Sequence, residues 1–593
     1  MLMRIALTAL FLLPALGTSQ NLILNNLHAQ IIAYEIPESE GRAEAVHYIE
    51  AIRDRFYPGV EIVDATALDD AALRQKLQGT PVLYTTLGEN SRLLRLAARP
   101  LPLRIENGTL HWGDFSAPVK DLRIVFVGQH PFGEGYSVVY AAGSNALLAQ
   151  ANSVFHGPCS YHIFQGAGRG ELLREGFYDK SFVEKPDRLS LADATADVQE
   201  FFSTLEHSHP KLLAKVDHSA YTELKKQTVS DLAARLGQDG NIRIEDLAYS
   251  LNYAGAFFKD GHTGLQWQWP PLNEANTRGK RFPPFWLDSE NARFFIASAS
   301  DASLLGTEIL GVNGTPVEGF LKPILDRISG ETRTYRAAGL AANQAFWYYL
   351  TNVFADESYT LTVRDMSGAT RQAAIRTLGF AEFRRLAPPA RRSGDTRVEF
   401  LDDGKIARLV IPSLVYGPDR KKTEEVFDQA FGQIRERAST DLIIDIRGNG
   451  GGDSRMGDYV LRFVRPKQSA RPKSFFAGKT YMLTDHIVFS SAVIFADAFR
   501  DCKVGTIVGY ETGGTPSHYG QPRAFTLENS GIAFGVSSKH FNAPKPRPGD
   551  ADHGVLPDVA VNRELLVPFR KEADPVLAFT LAHIRENRKN PRR

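Results

Sequence analysis

DLIIDIRGNGGG, from Asp441 to Gly452, is the stretch on which the fold turns. Asp441 to Ile446 is a near-continuous apolar run of strand length, and four glycines fall in the six positions after it. A strand that is apolar on both sides is buried on both sides, which calls for a sheet covered by helices. Glycines directly after such a strand let backbone N–H groups approach a ligand or reach positive φ. A nest of N–H groups suits a developing oxyanion. A glycine-rich turn needed only by the fold is the plainer reading.

The flanking segments extend the pattern. Ile406 to Ile411 is apolar and strand-like, and Lys421 to Arg437 reads as a helix. After the glycines come a helix from Met456, a strand from Thr480 to Thr484, a helix from Ser490 to Arg500 and a strand from Gly505 to Gly509. Strands return at Ala524 to Leu527 and Ile532 to Ser537. Continuous apolar strands alternating with helices predict an α/β core. Open α/β sheets bind ligands at the carboxyl ends of their strands, where both the glycine loop and Ser490 fall.

FSSAVIFADA, from Phe489 to Ala498, places Ser490 and Ser491 where a loop meets a helix. Capping is the default role of a serine there. Exposure as a nucleophile is the sharper alternative. Serine chemistry needs a hydroxyl, a base and oxyanion donors, and this region offers the first and third close together.

Toward the N-terminus, the chain divides by composition. Its 593 residues exceed a single hydrophobic core. Residues 1–19 have the shape of a secretory signal, with one charge before the apolar run Ile5 to Leu16 and small or polar residues after it. That run is short for a membrane span, and no other stretch reaches eighteen apolar residues. No cysteine follows it to carry a lipid. The expectation is an exported protein, periplasmic or extracellular, with no membrane span.

Residues 20–200 read as an N-terminal α/β domain of open role. Helical patterns at Arg42 to Phe56 and Asp70 to Leu77 alternate with strands at Val60 to Val63, Val82 to Thr86, Leu122 to Val127 and Tyr136 to Ala142. A further short helix opens at Asn145. No GxGxxG follows its first strand, and His130 and His156 read as surface or hydrogen-bonding histidines. Residues 201–284 form a helical domain, with helices at Ala192 to Leu205, Tyr221 to Leu236 and Ile244 to Phe258. Residues 285–387 turn to strands, at Ala292 to Ala297, Glu308 to Val312 and Tyr359 to Arg364, with a helix from Phe320 to Ile328. APPARRSG, from Ala387 to Gly394, marks a linker set at 388–397. The α/β core with the glycine loop and Ser490 spans 398–575, and a C-terminal helix with a basic tail spans 576–593.

Composition excludes several classes of function. Hydrophobic residues make up 43% and charged residues 23%, with a net charge of +1, so no bulk field points to nucleic acid. The two cysteines, Cys159 and Cys502, read as free and buried, and cannot make a cysteine-based zinc site. No HExxH occurs, and no metal or cofactor is called for.

The glycine loop and the serine helix together resemble peptidase family S41, the C-terminal-processing and tail-specific serine peptidases with their tricorn-like relatives. DIRGNGGG resembles the family's D-x-R-x-N-x-G-G loop. Matching the family's helical A-G-A to Ala496-Asp497-Ala498 puts the nucleophile at Ser490, and its V-G-E then falls without a gap on Val508-Gly509-Tyr510. Val493 stands where the processing peptidases carry Glu. Their lysine base falls on Thr515 and their assisting Gln on Tyr519, within ETGGTPSHYG from Glu511 to Gly520. DGHTGL, from Asp260 to Leu265, resembles the D-G-H-T signature of the tricorn-like branch. That resemblance implies His262 as base, since an imidazole can take and return the hydroxyl proton near neutral pH.

The implied third group is Asp552, with Glu511 and Asp550 as alternatives and His518 as an alternative base. Oxyanion donors are expected from Ser491 N–H and one of Gly450, Gly451 and Gly452. The resemblance implies a ClpP/crotonase-like α/β catalytic core. EHSHP, from Glu206 to Pro210, resembles a segment that opens the helical domain of many members. GTEILGVNGTPV, from Gly306 to Val317, resembles the carboxylate-binding side of a PDZ module, so the β-rich domain is PDZ-like or divergent. The implied activity is an exported serine endopeptidase or C-terminal-processing-type peptidase that acts on a peptide or protein through an acyl-enzyme on Ser490. The alternative is a catalytically inactive peptide-binding protein on the same fold. Oligomeric state is left open, a homodimer among the options.

Overall fold

The computed structural model describes residues 29–153, 160–168, 170–176, 178, 181–184, 187–265, 277, 279–342, 346–388, 395–416, 420–465 and 471–589. The signal-like segment, His156, Cys159 and most of the linker lie outside the described residues. Multidomain α/β architecture is present, with separate sheets and a helical region.

The C-terminal sheet has six strands, in the order Arg397–Leu401, Ile406–Val410, Asp441–Asp445, Lys479–Thr484, Thr506–Gly509 and Val559–Ala560. All neighbours run parallel except the first pair, which is a hairpin. Every residue of Asp441–Asp445 is buried, as its double-sided apolar pattern requires. Leu442 and Ile444 face helices Arg420–Glu436, Ser454–Leu461 and Ser491–Asp501 through Phe431, Val460 and Phe495. Ile443 faces the opposite layer with Leu483, Val508 and Ile584. Ile584 belongs to the helix Pro575–Lys589.

That last helix is more than a soluble tail. Arg585 Nε donates to Asp402 at 3.0 Å, and Arg588 Nε donates to Asp441 at 2.9 Å. Asp574, at its start, accepts two bonds from Arg447, at 2.9 and 2.7 Å. Arg447 also reaches Asp445, whose carboxylate takes Arg408 as well. Burial opposes the charge on Asp445, but the two guanidinium groups outweigh it and hold its carboxyl below the ordinary range. The Asp and Arg of DIRGNGGG therefore clamp the loop to the C-terminal helix. Arg447→Met strands the carboxylate of Asp445 beside a single partner. A loss of about 3 kcal/mol or more is expected, read as a lowered urea midpoint with an unchanged slope.

The middle domain is a six-stranded antiparallel sheet built around Phe285–Glu290, Arg293–Ala299, Glu308–Val312, Ser358–Arg364 and Thr370–Arg376, with Thr315–Pro316 paired to its centre. The tight turn at Asn313-Gly314 has φ of 48° and 79°, the positive values of a two-residue hairpin turn. Helices Val317–Leu325, Arg333–Ala342 and Phe346–Leu350 follow.

The N-terminal unit is a seven-stranded mixed sheet with Ile31–Glu35, Pro81–Thr86 and Tyr136–Ala142 among its inner strands. Its apolar core runs from Ile31 to Tyr178.

The helical region does not close on itself. Helices Leu191–Ser208, His218–Ala234 and Ile244–Ala256 share one core with Leu527, Ile532, Phe534 and Val536. Those four residues belong to the hairpin of His518–Thr526 and Ala533–Phe541 and its turn. Asp197 fastens that turn, accepting from the N–H groups of Asn529 and Ser530 at 3.0 and 2.8 Å. Both strands outrun their expected lengths because they pair with each other out to His518 and Phe541. Among the described residues, no helix is long and apolar enough to cross a membrane.

Candidate active site

Ser490 lies between the strand Lys479–Thr484 and the helix Ser491–Asp501. Its φ is 54° and its ψ −127°, outside the regions a side chain prefers. Such strain costs about 1–3 kcal/mol and persists only where the surroundings impose it. A serine held in a sharp strand-to-helix turn has its hydroxyl lifted clear of the backbone. Ser490 makes no side-chain cap to its helix, so the default role of a helix-start serine is not the one it fills. Ser491 differs, since its hydroxyl donates to Gly452 O at 2.6 Å.

The glycine loop packs against this turn. A Cβ on Gly451 would lie 2.8 Å from Ser490 Cβ, and one on Gly452 would lie 2.1 Å from Leu414 O. Both glycines also have positive φ, 109° and 147°. Phe489 N–H donates to Asn449 O at 3.0 Å, which joins the two segments. Gly451 N–H is taken by Asn449 Oδ1 at 2.8 Å. Of the three expected glycine donors, that leaves Gly450 and Gly452 as candidates beside Ser491 N–H.

His262 arrives from the helical region. Helix Ile244–Ala256 ends, and the chain turns through Asp260–Thr263 into the short strand Gly264–Leu265. That strand pairs antiparallel with Phe534 and Gly535 of the hairpin. Gly261 is required by space, because a Cβ there would lie 2.4 Å from the Phe489 ring. His262 Nε2 lies 3.0 Å from Ser490 Oγ. Its ring stacks on Phe489 at 4.8 Å and on His518 at 5.7 Å. Burial pulls the imidazole pKa below its ordinary value, against the opposing charge of Asp260 and the Tyr519 backbone.

Asp260 is the carboxylate beside His262. Its Oδ1 accepts His262 N–H at 2.9 Å and lies 4.0 Å from His262 Nδ1. Burial alone would raise its pKa, but bonds from His209, Thr263 and Ser537 and the nearby His262 lower it. The bond from His209 Nε2 measures 3.1 Å. Lys211 N–H donates to His209 Nδ1 at 3.1 Å, so His209 carries its proton on Nε2 and donates to Asp260. The EHSHP and DGHTGL segments thus meet at Asp260.

Glu331, from the middle domain, completes the cluster. Its Oε1 accepts Gly261 N–H at 3.3 Å. Burial, then the Asp260 charge, pushes its pKa up to about 8. Thr332 Oγ1 donates to Gly513 O at 2.7 Å, and Tyr335 stacks on Phe489 at 4.5 Å, so this segment is anchored on the catalytic core.

Asp552, expected as the third group, is exposed and makes no hydrogen bond or ion pair with His262 or Ser490 among the described residues. Its neighbour Asp550 is drawn to Arg500, at 3.3 Å, and accepts Arg547 N–H at 2.8 Å. Glu511 accepts Gly554 N–H at 2.8 Å and so holds that loop. His518 Nδ1 donates to Thr515 O at 2.9 Å, and burial, with the neighbouring His262, depresses its pKa to about 4. It stands behind His262 and has no bond to Ser490. Thr515, at the family's lysine position, donates its hydroxyl to Ser517 O at 2.7 Å. Val493, at the family's Glu position, is fully buried in the core. Asp260 stands within DGHTGL as an ordinary turn residue, and Glu331 lies in no sequence motif.

Residues 405–561 match the model described as peptidase family S41. That segment, which holds the glycine loop and Ser490, is thus similar to peptidase family S41. No curated protein matches the sequence. Among solved structures, mature CPAF complexed with lactacystin is 13% identical with a TM-score of 0.43, over 62% of this chain and 94% of that one. The photosystem II D1 C-terminal processing protease is 15% identical with a TM-score of 0.32, over 63% of this chain and 94% of that one. The tricorn protease is 15% identical with a TM-score of 0.34, over 72% of this chain and 41% of that one.

Proposed function

We propose that the protein is an exported serine peptidase that cleaves peptide or protein substrates through an acyl-enzyme on Ser490. The observation that carries this reading is the 3.0 Å approach of His262 Nε2 to a strained, uncapped Ser490 hydroxyl. Neutral His262 accepts the hydroxyl proton as Ser490 Oγ attacks the substrate carbonyl. The oxyanion forms against Ser491 N–H and a glycine N–H of the preceding loop. The imidazolium then returns its proton to the leaving amine, and water hydrolyses the ester by the same route. Asp260, held ionised by His209, stabilises the imidazolium and takes the place first assigned to Asp552.

Labelling with a fluorophosphonate tests this reading. The native chain is expected to label and Ser490→Ala to remain dark. Equal labelling of both would defeat it.

The base also sets the pH profile. His262 must be neutral to act, and burial lowers its pKa from 6.5. The acid limb of kcat/KM should therefore have its midpoint below pH 6.5, falling about tenfold per unit beneath it. A midpoint above pH 7 would contradict a buried imidazole base.

A further inference from the structure

His262 Nδ1 and Glu331 Oε2 are buried polar atoms without a hydrogen-bond partner among the described residues. Such atoms are rare in folded proteins, and each one calls for an explanation. Both residues belong to one cluster, in which one donor atom each of Asp260, His262 and Glu331 lies within 4.8 Å of the others. The His262 side chain is only 9% exposed, and its Nδ1 edge faces Asp260.

One imidazole nitrogen and two carboxylate oxygens form a donor set that zinc accepts. Calcium and magnesium prefer all-oxygen surroundings, so the imidazole favours zinc over both. Ligand atoms on zinc, at about 2.0–2.2 Å from the metal, stand roughly 3.5 Å apart. Reaching that spacing takes a carboxylate rotation at Glu331 and a closing of the 4.0 Å between Asp260 Oδ1 and His262 Nδ1 by about 0.5 Å. His209 already orients Asp260 from behind, as outer groups orient metal ligands.

We propose that Asp260, His262 and Glu331 form an inhibitory zinc site on the back of the active-site imidazole. The inhibition rests on the peptidase reading, whereas zinc binding itself does not. Zinc on Nδ1 takes up the lone pair of that nitrogen and confines the ring proton to Nε2. Nε2 then has no lone pair for the Ser490 proton and donates to Ser490 Oγ instead. The base is disabled by its tautomer, and the nucleophile is untouched.

The full chain carrying Ser490→Ala, titrated with zinc against a chromophoric chelator, is expected to bind one equivalent. Glu331→Gln in that background should weaken binding by about tenfold or more, and Asp260→Asn should do the same, each with an unchanged circular dichroism spectrum. In the native chain, zinc should suppress fluorophosphonate labelling, and EDTA should restore it. Zinc affinity indifferent to both substitutions overturns the site. Labelling undiminished at saturating zinc overturns the inhibition. A chain that does not label even without zinc refutes the peptidase reading instead, and the chelator titration still decides the site.

Discussion

Ser490→Ala is expected to lower peptide hydrolysis on the order of a millionfold while the protein stays folded. Among the described residues, the Ser490 hydroxyl is the one hydrogen-bonded to the proposed base, His262 Nε2, at 3.0 Å. Its loss leaves oxyanion donors and substrate binding in place, which sustain a small residual rate over water. Stability should hold or rise. The lost hydroxyl carries no helix cap, and alanine keeps the Cβ that fits against Gly451. Ser491→Ala is the matched control. It removes a 2.6 Å bond to Gly452 O, worth about 1 kcal/mol, and keeps the Ser491 N–H. A comparable loss of turnover in Ser491→Ala would move the nucleophile one residue on. Steady-state hydrolysis of a peptide library, with thermal unfolding of each variant, separates these outcomes.

His262→Ala is expected to cost almost as much, roughly 10⁵- to 10⁶-fold in kcat, because nucleophile and base act as one unit. His518→Ala is the telling comparison. His518 stacks on His262 at 5.7 Å and is fixed to Thr515 O, so its removal loosens the base without deleting it. A loss of at most about a hundredfold is expected from such misplacement. Should His518→Ala prove the more damaging, the roles of the two rings would be exchanged. The double variant adds a check, since His518→Ala should add little once His262 is gone.

The sheet was the most legible part of the fold. A run such as Asp441 to Ile446, apolar on both sides, has few other places to go. Strand lengths were less so, because the extent of His518–Thr526 and Ala533–Phe541 is set by their pairing with each other, out to His518 and Phe541. At the site, Ser490 and His262 could be singled out through motif resemblance. The distance between them, 228 residues in the chain, offers no periodic signal. What separates a nucleophile from a cap at Ser490 is a backbone angle, which composition does not encode. Asp260 looks in sequence like an ordinary turn residue, and its bond to His209 spans 51 residues. Asp552 follows from the resemblance alone, whereas Arg500 and Arg547 draw its neighbour Asp550 and that loop elsewhere.

The hairpin that completes the helical core also sets an order of events. Asp260 and His262 leave the ribosome early, but the strand they lean on ends at Phe541, and the helix clamping the glycine loop starts at Pro575. During synthesis the histidine therefore has no wall, and the serine no fixed turn, until nearly the whole chain has emerged. A polypeptide that stalls or is cut short before residue 518 carries DGHTGL without its counterpart. The groups of the proposed site are thus brought together only late in synthesis.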